Sequence, residues 1–225
     1  MKKDLTLSLS YYNDEDYLFN HTKKWKEYNK LINLQIIDDC SNESIDQSSL
    51  FEDLIEMNVS LYRILEDIIW NIPGVRNLGA SVANSEWILF CDMDQYFEKK
   101  EIKKIVNLLK KEKLDKNNFY SFQRKNGVRT AGTMLMTKDL FWSCGGYDED
   151  LVGNYGHNDP LLRQQLISIG SKEVVLENII CQQIKADCAL DRSGNSINEE
   201  KFKQKIKNLP RKEMNILRFS WEKIH

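Results

Sequence analysis

Five consecutive apolar residues, Trp87 to Cys91, followed at once by Asp92-Met93-Asp94, constrain this chain more than any other stretch. A run so short, apolar throughout and cut off by charge reads as a buried strand. Carboxylates at the carboxyl end of such a strand stand where open α/β sheets bind their ligands. Residues two apart on a strand share a face, and because this strand is ending, both carboxylates can turn toward one site. Two carboxylates supply part of the shell of a hard divalent cation and leave the rest to water and phosphate oxygens, as when magnesium or manganese sits beside a nucleotide. The same three residues are also compatible with a plain solvated strand end.

The segments before this point alternate between two periods. Leu5 to Tyr11 is β-like and ends at the turn-forming Asn13 and Asp14. Tyr17, Leu18, His21, Trp25 and Tyr28 recur at helical spacing, which makes His21 a helix residue rather than a catalyst. Leu34 to Ile37 is a second strand, ending in Asp38 and Asp39, and Val59 to Leu65 is a third. The Asn71-Ile-Pro-Gly74 stretch reads as a turn leading into a helix that carries Arg76 and Asn77. Strands alternating with helices in this way predict an α/β fold with a mostly parallel central sheet, right-handed crossovers and helices on both faces. The strand ends at Asn13, Asp39 and Asp92 then fall on one edge, within reach of a single ligand.

Beyond residue 92 the spacing predicts an amphipathic helix over Ile102 to Leu109 with a lysine-rich outer face, strands over Phe119 to Gln123 and Thr133 to Met136, and a short helix ending at Gly145-Gly146. Pro160 fits only the start of a helix, which places Leu161 to Ile169 in one with Asp159 as its N-cap. Glu173 to Ile180 is a late strand, and the tail from Asn198 to His225 is expected to be charged and mostly helical. One domain over 1–197 follows, with halves of about 1–97 and 98–197, and the tail over 198–225 packed on it.

The 225 residues are enough to bury a substantial core, and 29% charged with 41% hydrophobic residues is the balance of a soluble globular protein. A formal net charge of -2 argues against a broad nucleic-acid surface. The count of 5 cysteines, odd and without a Cys-x-x-Cys pair, favours free thiols in a reducing compartment. Asp4 and alternating serines spoil the amino terminus as a secretory core, and no stretch has the roughly 20 apolar residues needed to span a bilayer. A cytoplasmic location is the expectation.

Four segments in order, the strand ending at Tyr11-Tyr12-Asn13, then IIDDCS, then GVRNLGASVANSEWILFCDMD, and finally GGYDEDLVGNYGHNDPLL, resemble the family 2 inverting nucleotide-sugar glycosyltransferases of the GT-A fold. The resemblance covers roughly Leu5 to Ile184 and implies a single Rossmann-like GT-A domain. It implies that Tyr11, Tyr12, Asn13, Asp38 and Asp39 contact the nucleotide sugar, that Arg76 reaches the nucleotide or its phosphates, and that Asp92 lies near ribose and metal while Asp94 ligates the metal, Mn2+ or Mg2+. On its own chemistry the Asp38-Asp39 pair equally fits an Asx turn, and Arg76 also fits a surface salt bridge. The resemblance places the catalytic base at Asp159 and acceptor contacts at Tyr155, Gly146 and Asn158. Taken alone, Tyr155 also fits a core position, and the Gly145-Gly146 pair also fits a helix terminator.

Two departures from the family pattern stand out. Asn158 replaces a frequent acidic residue, and no histidine follows the late strand before His225, which leaves Gln182, Asp187, Asp191 or water to complete a metal shell. Arg192 lies in a turn-rich segment that fits either closure over the phosphates or a surface loop with no role. The expected activity is metal-assisted, inverting hexosyl transfer from a UDP-linked sugar to a glycan or glycolipid hydroxyl in polysaccharide biosynthesis, with peripheral membrane contact and no nucleic acid. Two alternatives accompany it. One is a nucleotide-sugar-binding module whose catalysis has decayed, and the other is a haloacid dehalogenase-like phosphatase built on the same strand-Asp-x-Asp element.

Overall fold

A computed structural model describes residues 3–184, 194–211 and 216–225. The first half builds the expected unit. Strand β1 (Leu5–Tyr11) leads to helix α1 (Glu15–Trp25), strand β2 (Asn33–Asp38), helix α2 (Phe51–Glu56) and strand β3 (Ser60–Ile64), followed by helix α3 (Ile72–Val82) and strand β4 (Trp87–Cys91). Asp14 caps α1 by accepting from the Tyr17 amide at 3.1 Å, with Glu15 and Asp16 in the first turn and Lys23 and Lys24 in the last, each sign matching the helix dipole. The chain then forms a two-residue strand β5 (Gln95–Tyr96), helix α4 (Lys99–Lys110), strands β6 (Phe119–Arg124) and β7 (Arg129–Thr137), and helices α5 (Lys138–Ser143) and α6 (Asn158–Ser168). Strand β8 (Glu173–Gln183), helix α7 (Asn195–Lys205) and strand β9 (Trp221–Lys223) complete it.

The sheet order is β5-β8-β6-β7-β4-β1-β2-β3-β9. From β4 through β1 and β2 to β3 every pairing is parallel, as the alternation of periods predicts. On the far side β7 runs antiparallel to β4 and to β6, and β9 runs antiparallel to β3, so the full sheet is mixed. Apolar residues of β4 show why the run had to be buried. Trp87, Leu89 and Cys91 enter one core with Leu7, Trp25 and Ile102, whereas Ile88 and Phe90 enter a second with Phe141, Tyr147 and Leu162. Both faces of the strand are covered, which a continuous apolar run requires.

Three expectations shift. The Asn71 to Gly74 stretch is already the start of α3, because Pro73 sits in the first turn, where its missing N–H costs nothing. Helix α6 begins at Asn158 with His157 as its N-cap, so Asp159 lies inside the first turn rather than at the cap. The tail is not helical to its end. After α7 the chain returns to the sheet, where Trp221 opposes Ile64 and Lys223 opposes Tyr62, and Phe219 packs with Val75 and Leu78.

Candidate functional site

Strand β1 sends its two neighbours in opposite directions, β2 on one side and β4 on the other, which makes the carboxyl ends of β1 and β4 the switch point of the sheet. Register keeps those ends level, with Tyr11 opposite Asp38 and Leu9 opposite Cys91. A cleft of about 1090 Å³ opens there. Tyr11, Tyr12, Asp39, Arg76, Asp92 and Asp94 line it from the first half of the chain, and Tyr155, Asn158 and Asp159 line it from the second.

Arg76 organises the centre. Its side chain is 4% exposed, projecting from α3 between two carboxylates. Nη2 donates to Asp92 Oδ1, and Nη1 donates both to Asp159 Oδ1 at 2.5 Å and to the Tyr147 hydroxyl at 2.5 Å. The Tyr147 hydroxyl in turn donates to Asp159 Oδ1 at 2.9 Å. Arg76 therefore holds protein carboxylates with the fork that the resemblance assigned to the nucleotide or its phosphates. A residue pair distant in sequence, Asp92 and Asp159, is thereby fixed on a single planar cation. One carboxylate oxygen of Asp159, Oδ1, is fully occupied, while Oδ2 has no hydrogen-bond partner among the described residues. The neighbouring Asn77 anchors Tyr147 from both sides, accepting from its amide at 2.9 Å and donating to its carbonyl at 3.0 Å.

The acidic turn after β4 is held from beneath and from the side. Asp92 Oδ2 accepts from Gln95 Nε2 at 2.9 Å, and the Asp92 amide donates to Thr133 Oγ1 at 3.1 Å. Asp94 Oδ2 accepts from Gln183 Nε2 at 2.9 Å, through the ladder that pairs β5 with β8. His21 is fully buried, and its Nε2 lies 2.9 Å from the Met93 carbonyl, so this helix residue supports the turn that carries both aspartates. Burial pushes its pKa down to about 4, which keeps the imidazole neutral. Burial pushes the Asp92 carboxyl up to about 6, with Arg76 opposing and Asp159 and Asp94 reinforcing the rise. Asp39 rises to about 7, chiefly through burial, against the hydrogen bond it accepts from Asn71 at 3.0 Å.

Among the described residues, no three His, Cys, Asp or Glu side chains converge on a metal position. The all-carboxylate donors Asp92 and Asp94 fit a hard cation such as Mg2+ or Mn2+ in chemistry, and would leave most of its shell to water and a diphosphate. Gln182 lines the cleft, whereas Asp187, Asp191 and Arg192 lie outside the described residues.

Three residues expected at the site do not line the cleft. Asp38 is fully buried, accepting from the Ser41 amide three residues on and pairing with Arg63 at 3.1 Å, so it braces the turn after β2 instead of facing the cleft. Asn13, in the left-handed region at φ 49°, accepts from the Asn42 amide at 2.7 Å and ties the ends of β1 and β2 together. Gly146 is buried with φ 65°, and a Cβ there would meet Asn77 Oδ1 at 2.8 Å. It lets the chain turn beneath Tyr147.

Other cleft residues escaped the sequence reading. Trp70 stacks edge-on against Tyr155, with ring centroids 5.1 Å apart at 73°. Gly132 lies so close to the central pair that a Cβ on it would stand 2.5 Å from Arg76 Nη2 and 2.6 Å from Asp92 Oδ1. Tyr147 and Gln183 each touch an expected residue. Tyr147 did stand in one of the recognised segments, but nothing local marks its hydroxyl as facing inward.

The sequence profile of the family described as glycosyltransferase-like family 2 matches residues 7–122, just over half of the chain. No curated protein matches. Among solved structures, S. aureus TarS 1–349 in complex with UDP-GlcNAc is similar with a TM-score of 0.75 and 14% identity, over 90% of this chain and 65% of that one. The same fragment in complex with UDP gives 0.62 and 17%, over 81% and 61%. A longer S. aureus TarS structure gives 0.66 and 14%, over 91% and 43%. This chain thus spans 65% or less of each of those chains. At such identities the likeness is one of fold, and it is to a GT-A glycosyltransferase fold.

Proposed function

This chain belongs to the glycosyltransferase-like family 2, and from that premise we propose that its cleft transfers a hexosyl group, with inversion, from a UDP-linked sugar to a hydroxyl of a glycan acceptor. The observation that carries this reading is the arrangement around Arg76, which brings Asp159 and Asp92 to one guanidinium in the cleft that Asp94 also lines. UDP and UDP-GlcNAc bound to the structurally similar TarS chains support the choice of donor.

Inversion requires an acceptor hydroxyl to attack the anomeric carbon while the diphosphate departs from the opposite face. In this reading the first half of the chain takes the nucleotide, with Asp39 and the Tyr11-Tyr12 end of β1 toward base and ribose. The acceptor lies toward the second half, with Tyr155 from that half and Trp70 from the first forming an aromatic pair that offers ring faces to a sugar. Asp159 takes the hydroxyl proton on Oδ2, while Arg76 and Tyr147 hold Oδ1 and so fix the direction from which the proton is removed. Arg76 acts as a positioning residue, since its terminal nitrogens are engaged by protein groups. When bound, a divalent cation on Asp92 and Asp94 would supply positive charge next to the leaving diphosphate. Peripheral contact with a membrane would follow from a lipid-linked acceptor.

Asp159→Asn tests the reading. It keeps the size and one acceptor oxygen, so UDP binding should stay within about twofold of wild type, while transfer from the UDP-sugar falls by roughly 10²- to 10⁴-fold, the usual contribution of a general base. Near-normal turnover by that variant would remove Asp159 from the role. The presence of a positioned carboxylate with one open oxygen favours an enzyme over a binding module.

A further inference from the structure

We infer that Arg124, at the end of β6, is the residue that grips the diphosphate of the donor, ahead of Arg76, whose fork is largely spent on protein groups. The inference rests on the reading of the cleft as a nucleotide-sugar site. Arg76 commits three of its five N–H groups to Asp92, Asp159 and Tyr147 and is almost wholly buried, so its fork is given over to protein carboxylates. Arg124 lines the same cleft and forms no ion pair or side-chain hydrogen bond among the described residues. Its Nε is buried without a partner, as is that of Arg76, but only Arg124 also keeps both terminal nitrogens unengaged among the described residues. A guanidinium nitrogen removed from water and left unpaired is costly, and an oxyanion in the cleft would satisfy it.

The fold aims this residue deliberately. Strand β6 runs parallel to β4 through their shared antiparallel neighbour β7, so Arg124 and Asp92 emerge from the same edge of the sheet. Just before Arg124 the register shifts against both neighbours, between Ser121 and Gln123 on the β7 side and between Phe122 and Gln123 on the β8 side. Bulges of this kind redirect the side chains that follow and cluster next to active sites. The backbone of Arg124 is pinned while its side chain is not. Its amide donates to the Val128 carbonyl at 2.8 Å, and its carbonyl accepts from the Gly127 amide at 2.9 Å, closing the hairpin that carries Lys125 and Asn126 into the cleft. The result is a preorganised base for a planar fork suited to phosphate oxygens, with a second cation beside it.

Calorimetric titration of the full chain with uridine and with UDP, both with manganese, isolates the phosphate contribution as the ratio of the two affinities. In Arg124→Gln that ratio should fall by roughly ten- to hundredfold, the worth of one or two charge-assisted hydrogen bonds, while uridine affinity holds. Arg124→Lys, which keeps the charge without the fork, should recover part of the loss. Because the ratio is taken within each variant, a general loss of folded protein cancels. An unchanged ratio in Arg124→Gln overturns the inference and leaves the site reading standing, even if transfer to an anionic acceptor is impaired. Failure of the wild-type chain to bind UDP at all overturns both.

Discussion

At the scale of the residue, the cleft depends on carboxylates held out of water. Asp39 and Asp92 both titrate above their ordinary range, at about 7 and about 6 against 3.8. A carboxyl whose folded pKa is raised stabilises the fold in its protonated form, so the contribution is complete below about pH 4 and is lost as pH rises through 6 to 7. Asp39→Asn removes its part of that slope. Between pH 5 and pH 8 the unliganded wild type should lose on the order of 2 kcal/mol more unfolding free energy than the variant, as read by urea denaturation at the two pH values. Parallel pH profiles would show that Asp39 is not the strained group. Gly132 is constrained in another way, because any Cβ intrudes on the Arg76–Asp92 pair. Gly132→Ala should reduce transfer at least tenfold while the unfolding midpoint moves little, since the displaced atoms are side-chain ends in the cleft. Equal activity would mean that the Arg76 network tolerates displacement. Asp92, Asp94 and Asp159 were legible in the sequence because each lies within two residues or so of an element end, where local pattern speaks. Tyr147, Gln183 and Arg124 were not, because what aims them at the cleft is pairing between segments far apart in the chain.

At the scale of the element, α3 carries the site. It lies against β1 and β2, and Gly79 permits the approach, because a Cβ there would stand 2.5 Å from Ser8 Oγ and 3.3 Å from Gln35 Nε2. Gln35 uses that closeness, donating to Ser8 Oγ at 2.9 Å and to the Gly79 carbonyl at 2.6 Å inside the core. Gly79→Ala should therefore destabilise the protein by about 1–3 kcal/mol through overpacking, despite the roughly 1 kcal/mol by which alanine favours a helix. Chemical denaturation checks this, and a variant as stable as wild type would show that α3 can lift without penalty. A helix carrying Arg76 and Asn77 was expected from the turn residues before it. Its first turn was misread as a loop because Asn and Pro are turn formers as well as helix starters, and only the packing of the turn decides between them.

At the scale of the whole molecule, the parallel half of the sheet was predictable and the mixed half was not. Consecutive βα units leave one handed solution, whereas β6, β7 and β8 could pair in several orders, of which the fold takes the one that sets β7 beside β4 and β6 between β7 and β8. The tail shows the same limit. The charged tail was expected to be mostly helical, but Phe219 finds the buried surface of α3 and Trp221 completes the edge of β3. Phe219→Ala should cost about 3–5 kcal/mol, the loss typical of a buried aromatic, and lower UDP affinity indirectly by loosening α3. A cost within experimental error would assign the tail to decoration. No helix among the described residues is long and apolar enough to cross a membrane. The proposed transfer requires that one cleft hold a cation on an acidic pair against a donor's diphosphate. The direct measurement is calorimetric titration of UDP into wild type and Asp94→Ala, each with and without manganese. Binding that strengthens at least tenfold with manganese in wild type, and shows no such gain in Asp94→Ala, is the result predicted. Absence of UDP binding by the wild type, or a manganese effect that survives in Asp94→Ala, would contradict it.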